Sequence, residues 1–367
     1  MKLQAVIDAM NAFAPPHLAE PWDRIGLQVG RADTEIQAVL VTLDVTAGVI
    51  DEVSRAGARL IVAHHPLIFH SLERITDATP TQQAVRELIR RDIALFVAHT
   101  NLDAAPGGVA DTLAESIGLR DTRPLLPAAT NELKIVAFVP PGALERVSWA
   151  MCQAGAGRIG QYSDCTFRVA GTGSFTASDS ARPAIGKPGE HHEVDEFRLE
   201  AVAPAEQLGA VLAAIRSAHP YETPAIDVYP LAGGDPSAGA GRIGSLAQPL
   251  TLAALAAQVK AALDAMTIQL AGDLDRACGL VAVCPGSGGS CLRAAIDAGC
   301  HAFVTGEMGY HDAQEAAESG MALIAAGHYA TERPIVPKLC ELLAARLPGA
   351  KLVASTTITD PWHRPPG

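Results

Sequence analysis

The sequence predicts an α/β protein, a layered core of strands alternating with helices that is interrupted by a smaller α+β domain. Three observations carry this. Short runs rich in Val, Ile and Leu alternate with Ala-rich amphipathic segments, as in sheets with crossover helices. His and carboxylate residues recur just past several of those runs, where open α/β sheets hold their ligands. A middle segment orders its elements differently from the stretches on either side.

Taken in order, strands are expected near 36–44 ("IQAVLVTLD"), 59–64 ("RLIVAH") and 93–99 ("IALFVAH"), separated by helices near 46–57 and 80–91. The C-terminal third repeats the theme, with strands near 279–284, 301–305 and 322–326 and helices near 251–266, 290–298, 311–319 and 335–346. The middle reads strand 132–140, helix 142–154, two strands in "CTFRVAGTGSF" and "DEFRLEAVAP", helix 204–218 and strand 225–231. That β-α-β-β-α-β order is the ferredoxin-like plan. "RPLLPAATN" and the Gly/Pro-rich "LAGGDPSAGAGRIG" read as the connections that open and close it. The expected division is a discontinuous core, 1–128 with 240–367, and an insertion, 129–239. The hexapeptide "GAGRIG" occurs at 155–160 and 239–244 without wider similarity, so both copies read as glycine-rich turns.

Composition narrows the function. With 49% hydrophobic and 19% charged residues the chain packs rather than stays disordered, and with aromatics at 4% its core must be aliphatic. A formal charge of −12, with no basic run, argues against nucleic acid, whose binding needs Lys and Arg on phosphates. Seven cysteines without a C-x-x-C pair read as reduced thiols. No apolar stretch is long enough to span a membrane, and "MKLQAVIDAMNAFAPP" lacks the apolar region of a signal peptide. A cytoplasmic protein is the expectation.

Chemistry concentrates at the strand ends. "LIVAHHPLIF" sets His64 beside His65, and strand alternation would send the two rings to opposite faces. "VAHTNLDAAPGG" supplies His99 and Asp103, and "AAGHYATERP" supplies His328 and Glu332, read as straddling a loop and a helix start before Pro334. One such fragment alone is more often a buried structural histidine. Three together form the His/carboxylate set suited to Zn, Fe, Mn or Ni. "VTGEMGYHDA" adds Glu307 and His311 as proton carriers or outer partners of the ligands, against a surface reading. Asp44 reads as an outer partner or a helix cap. The loop Ser287, Gly288, Gly289 and Ser290 in "VCPGSGGSCLRAAI" is either a tight turn or a phosphate cradle, and it lacks the G-K-[ST] of a P-loop. "HPYETP" could turn His219 and Tyr221 toward a site, while "HHE" at 191–193 reads as solvated loop.

"PWDRIGLQVG", "AHHPLIF", "AHTNLDAAPGGV", "TGEMGYHDA" and "AGHYATE", in that order, resemble the Nif-three-like dinuclear metal-centre family. Many of its bacterial members go by the name GTP cyclohydrolase 1 type 2 homologue. "AGAGRIGQYSDCTF" and "HPYETPAIDVYPL" resemble motifs of the PII-like insertion of its longer members, so the likeness spans essentially the whole chain. The resemblance implies two divalent metal ions per subunit held by His64, His65, Asp103, His328 and Glu332; His99 and Asp44, at neighbouring strand ends, are read as outer partners of these ligands. No departure occurs at these positions. It also implies a homohexameric ring and hydrolysis of a small-molecule substrate related to a nucleotide. The alternative is a non-enzymatic metal-binding regulator or scaffold that uses the PII-like domain to bind an effector or partner. A nucleic-acid-binding toroid draws support only from the implied ring.

Overall fold

The computed structural model describes residues 1–363; residues 364–367, at the end of the expected core segment, lie outside the described residues. The chain forms two compact units, Met1–Ala128 with Asp235–Gly367, and Ala129–Gly234. Among the described residues no helix is long and apolar enough to cross a membrane.

The first unit contains two sheets. In one, Ala38–Thr42, Leu60–Ala63 and Ala94–Val97 run parallel, with Lys351–Ala354 parallel at one edge and Gly26–Val29 antiparallel at the other. The three inner strands are buried at every residue, as expected of parallel strands covered on both faces. Alternation divides their side chains. Val39, Val41, Val62 and Phe96 pack toward helices Leu3–Phe13 and Ile335–Arg346, while Leu40, Ile61, Leu95 and Val97 pack toward Ala47–Arg55 and Pro80–Arg90. Thr46 and Thr79 start the last two helices by accepting from the Val49 and Gln82 amides, and Pro80 presets the first turn of its helix.

The second sheet has the order Gln269–Ala271, Ala322–Ala325, Ala302–Glu307, Ala277–Ser287, Gly234–Thr251, Arg120–Ala129. Its last two strands correct the reading of "RPLLPAATN" and "LAGGDPSAGAGRIG" as loops. They are neighbouring strands, and the compact unit resumes at Asp235 rather than 240, one residue into the strand Gly234–Thr251. The second "GAGRIG" is therefore strand, not turn. Its Arg242 is 1% exposed and extends to Asp111, with Nε–Oδ1 at 2.6 Å and Nη2–Oδ2 at 2.8 Å. It also donates to the carbonyls of Gly239, Gly241, Ala104 and Ala105.

The second unit follows the expected order: strand Glu132–Val139, helix Leu144–Gln153, strands Phe167–Thr176 and His191–Pro204, helix Leu208–Ala218, strand Ile226–Pro230. The sheet is antiparallel, in the order Phe167–Thr176, His191–Pro204, Glu132–Val139, Ile226–Pro230. "HHE" belongs to a strand rather than a loop, with His191 opposite Thr176.

A third interaction anchors the segment after Lys351–Ala354. Glu52 accepts from Ser355 Oγ at 2.6 Å, the Thr356 amide at 2.7 Å and Thr357 Oγ1 at 2.6 Å. Partial burial works against its charge, but these bonds outweigh it and bring the Glu52 pKa from 4.5 down to about 2. A depressed carboxylate contributes stability that is present above its unfolded value and lost as pH falls through the folded one. The amides of Thr356 and Thr357 should therefore lose exchange protection as pH falls from about 4.5 toward 2. Glu52→Gln should remove that step; an unchanged protection profile in the variant would refute the anchoring role.

Candidate metal centre

The site lies where strand ends of the two core sheets converge. His64 and His65 follow Leu60–Ala63, His99 follows Ala94–Val97, and Asp44 follows Ala38–Thr42. From the other sheet, Glu307 ends Ala302–Glu307, and His328 opens the helix after Ala322–Ala325. The strand stops at Ala63, so alternation no longer governs the double histidine, and the two rings lie 4.9 Å apart at 44°.

Glu332 occupies the middle. It is 3% exposed, with Oε1 3.1 Å from His328 Nε2 and 3.8 Å from His64 Nε2, and Oε2 3.0 Å from His65 Nε2. His328–Glu332 is a five-residue helix rather than a loop and a helix start, which stacks the two side chains one turn apart. Asp103, on the short helix Thr100–Ala104, places Oδ1 3.5 Å from His64 Nε2. Two glycines make room for this packing. A Cβ on Gly286, whose φ is +60°, would lie 2.3 Å from Glu332 Oε1, and one on Gly306 would lie 2.8 Å from the His328 Cα.

The donor atoms of His64, His65 and His99 lie within 4.8 Å of one another, as do those of His65, His328 and Glu332. These are two candidate metal-binding groups sharing His65. Three buried polar atoms here, His64 Nε2, Asp103 Oδ1 and Glu332 Oε2, make no hydrogen bond. Buried polar atoms normally find partners, and a cluster of orphans drawn from imidazole and carboxylate suits a divalent cation. The residues present fit a metal.

Electrostatics agree. Burial disfavours charge on His65, but Asp44 and Glu332 outweigh it and raise its pKa to about 10. Glu332 sits well below the carboxylate range, because the three histidines that face it, His328, His64 and His65, overcome its burial. Burial pushes Asp103 up, with His64 the main opposing influence. Without a metal, protons on the histidines therefore balance the central carboxylate.

Behind the donors, each inner ring is oriented. His65 Nδ1 meets Asp44 Oδ1 at 2.8 Å, and Thr359 Oγ1 donates to Asp44 Oδ2 at 2.5 Å. His64 Nδ1 meets the Ala98 carbonyl at 3.0 Å. His99 Nδ1 meets Asp23 Oδ1 at 2.8 Å, and Thr100 donates twice to Asp23 Oδ2. Removing such an outer partner typically costs about 10–100-fold in metal affinity. Asp44→Asn should fall in that range and Thr359→Val at its lower end, measured by competition with a chelating dye. Wild-type affinity in Asp44→Asn would show that His65 needs no orienting partner.

The structure thus gathers His64, His65, Asp103, His328 and Glu332, with Asp44 behind His65. The donor atom of His99 lies within 4.8 Å of those of His64 and His65. Glu307 flanks the cluster, its Oε2 3.5 Å from His328 Nδ1. His311 is placed elsewhere: it is exposed, with Nδ1 3.3 Å from Gln314 Oε1 on its own helix and its ring against Tyr310. Ser287 and Gly289 line a cleft with Glu307 and Asp312, whose carboxylates would repel a phosphate, so the tight-turn reading of 287–290 is favoured. Sequence reasoning missed Asp23, Thr359 and Gly286. Asp23 stands inside "PWDRIGLQVG", the one signal that could have pointed to it.

The profile of Duf34/NIF3 (NGG1p interacting factor 3) matches residues 1–361. A Mycobacterium tuberculosis protein named GTP cyclohydrolase 1 type 2 homolog is 42% identical over 99% of this chain and 97% of its own length. Its Bacillus subtilis namesake is 39% identical over 98% and 97%. Among solved structures, a Bacillus cereus protein related to NIF3 superposes with a TM-score of 0.80 at 38% identity, covering 99% of both chains. HcgD from Methanocaldococcus jannaschii, at 20% identity and a TM-score of 0.58, shares the fold. With a matching profile across nearly its whole length and full-length relatives at about two residues in five, the chain belongs to the Duf34/NIF3 family.

Proposed function

We propose that this protein is a hydrolase that uses two divalent metal ions, one held by each donor group, and acts on a nucleotide-like substrate. The observation that carries the reading is the pair of donor groups sharing His65, with unpartnered buried atoms on His64, Asp103 and Glu332. His64, His65, His99, Asp103, His328 and Glu332 would hold the ions, which when bound supply Lewis acidity toward water and the bond to be cleaved. Zn, Fe, Mn and Ni all suit this donor set.

The remaining chemistry belongs to the chain. Asp44 and Asp23 fix which nitrogens of His65 and His99 face the centre. Glu307 is half exposed beside His328, placed to exchange a proton with solvent. Trp22 is 53% exposed, its ring 6.2 Å from that of His99 and 6.0 Å from that of Phe69, and it offers a stacking wall to a planar base. The relatives' shared name motivates GTP as the first substrate to try, with opening of its imidazole ring and release of formate.

The test is formate release from GTP by protein loaded with each metal in turn. Turnover that disappears in Asp103→Ala, while the variant still folds, would support the reading. Metal-loaded wild type that releases no formate would refute the cyclohydrolase assignment, and failure with phosphate esters and amides as well would refute the hydrolase. We further propose that 129–234 is a ferredoxin-like, PII-like insertion, on the strength of its strand order, and that the protein assembles as a homohexameric ring. Light scattering on the purified protein decides the ring: a mass of one or two chains would refute it.

A further inference from the structure

The motif "HPYETP" plays no part in the metal centre, yet the second unit builds a cavity around it. The cavity measures about 400 Å³, within the range of small-molecule sites, and belongs wholly to that unit. Phe138, Phe175, Pro183 and Ile185 give it apolar walls, and its polar side chains are Ser174, Glu196, Tyr221, Glu222 and Thr223. Its lining contains no Lys, Arg or His.

Three details show a prepared polar end. The Tyr221 hydroxyl is buried and has no hydrogen bond of proper geometry, although the Glu196 carboxylate is near enough to influence it. Burial first and that carboxylate second push the phenol up to about 12, so it stays a neutral donor. Gly173 leaves the space that Glu196 fills, since a Cβ there would lie 2.2 Å from Glu196 Oε2. His219 fixes the turn by accepting from the Tyr221 amide at 3.1 Å, its other ring nitrogen lying 2.9 Å from the Phe138 carbonyl. The sequence raised His219 and Tyr221 together as site-facing. The structure makes His219 a brace and gives the cavity Tyr221.

An apolar slot closed by carboxylates and an unsatisfied hydroxyl, with no cation to neutralise them, is complementary to a flat apolar body carrying a cationic N–H edge. We propose that this cavity is a binding site for a small aromatic or heteroaromatic cation whose N–H groups bond to Glu196 while the ring lies between Phe138 and Phe175. Such a site is separate from the metal centre and independent of any hydrolytic activity.

Benzamidine is the probe, because its planar amidinium pairs with a carboxylate through two parallel bonds. Benzoate, with the same ring and opposite charge, is the control. Both are titrated into the full-length protein by calorimetry. Benzamidine should bind and benzoate should not. Glu196→Gln, which keeps the shape and removes the charge, should weaken benzamidine about tenfold or more. Gly173→Ala should weaken it too by displacing the carboxylate without backbone strain, and it serves as the second variant if Glu196→Gln does not fold. His65→Ala, in the metal centre, should leave benzamidine binding unchanged. Equal binding of benzoate, no heat from benzamidine at millimolar concentration, or undiminished binding in both Glu196→Gln and Gly173→Ala would overturn the proposal.

Discussion

Replacing Glu332 with Gln should lower affinity for divalent metal by more than about 100-fold, because outer partners alone are worth 10–100-fold and Glu332 is itself a donor. The substitution keeps the volume, so the effect reports charge and donor chemistry rather than a cavity. Its position explains the size. One carboxylate faces His64, His65 and His328 at 3.8, 3.0 and 3.1 Å, so its loss injures both donor groups at once. Metal remaining after dialysis, measured by mass spectrometry, should be near zero in Glu332→Gln and undiminished in His311→Ala, which lies exposed on its own helix. Full occupancy in Glu332→Gln would remove the central carboxylate from the site.

The same variant should weaken a pH effect. In metal-free protein His65 is raised from 6.5 to about 10 by Asp44 and Glu332 against the pull of burial. Its ion pairing thus adds stability that is fully present below about pH 6.5 and lost as pH rises through about 10. Metal uptake must displace that proton, so loading should strengthen as pH rises over the same window. Without the Glu332 charge both dependences should shrink.

Arg242→Met should destabilise the first unit by about 3 kcal/mol, the lower end of the cost of breaking a buried ion pair, because Asp111 stays about a quarter exposed and keeps the Gly107 amide as a donor. Arg242 is 1% exposed and donates to Asp111 and to four carbonyls, two of which, Ala104 and Ala105, close the short helix carrying Asp103. Unfolding in urea should show a lower midpoint. The double variant Arg242→Met with Asp111→Leu should recover part of the loss, since removing both charges leaves no orphaned ion. Because the Ala104 and Ala105 carbonyls then lose the Arg242 donor, metal affinity should fall in both variants. A midpoint unchanged in Arg242→Met would show that the pair is dispensable.

Some of this was legible in the sequence because it is local. Apolar runs such as "AVLVT" and "LIVA" declare buried parallel strands, and Thr79 followed by Pro80 marks a helix start through side-chain capping and a preset φ. Donors placed just past strands, as His64, His65, His99 and His328 are, could be named as site candidates because parallel strands deliver their carboxyl ends to one edge. The glycine-rich "LAGGDPSAGAGRIG" misled for the opposite reason. Turn-forming composition is a weak local preference, and pairing with the neighbouring strands overrode it.

What the sequence by itself determined is the α/β class, the order of elements and the residue types that gather at the metal centre. Only the tertiary structure decided that the His99 donor atom lies within 4.8 Å of those of His64 and His65, that His311 does not approach them, and that Asp23 bonds to His99 and Thr359 to Asp44. The physical reason is distance along the chain. Thr359 reaches Asp44 across 315 positions, and Asp23 reaches His99 across 76, so no local pattern encodes either bond. Such partners exist only once the sheets have packed and their edges meet.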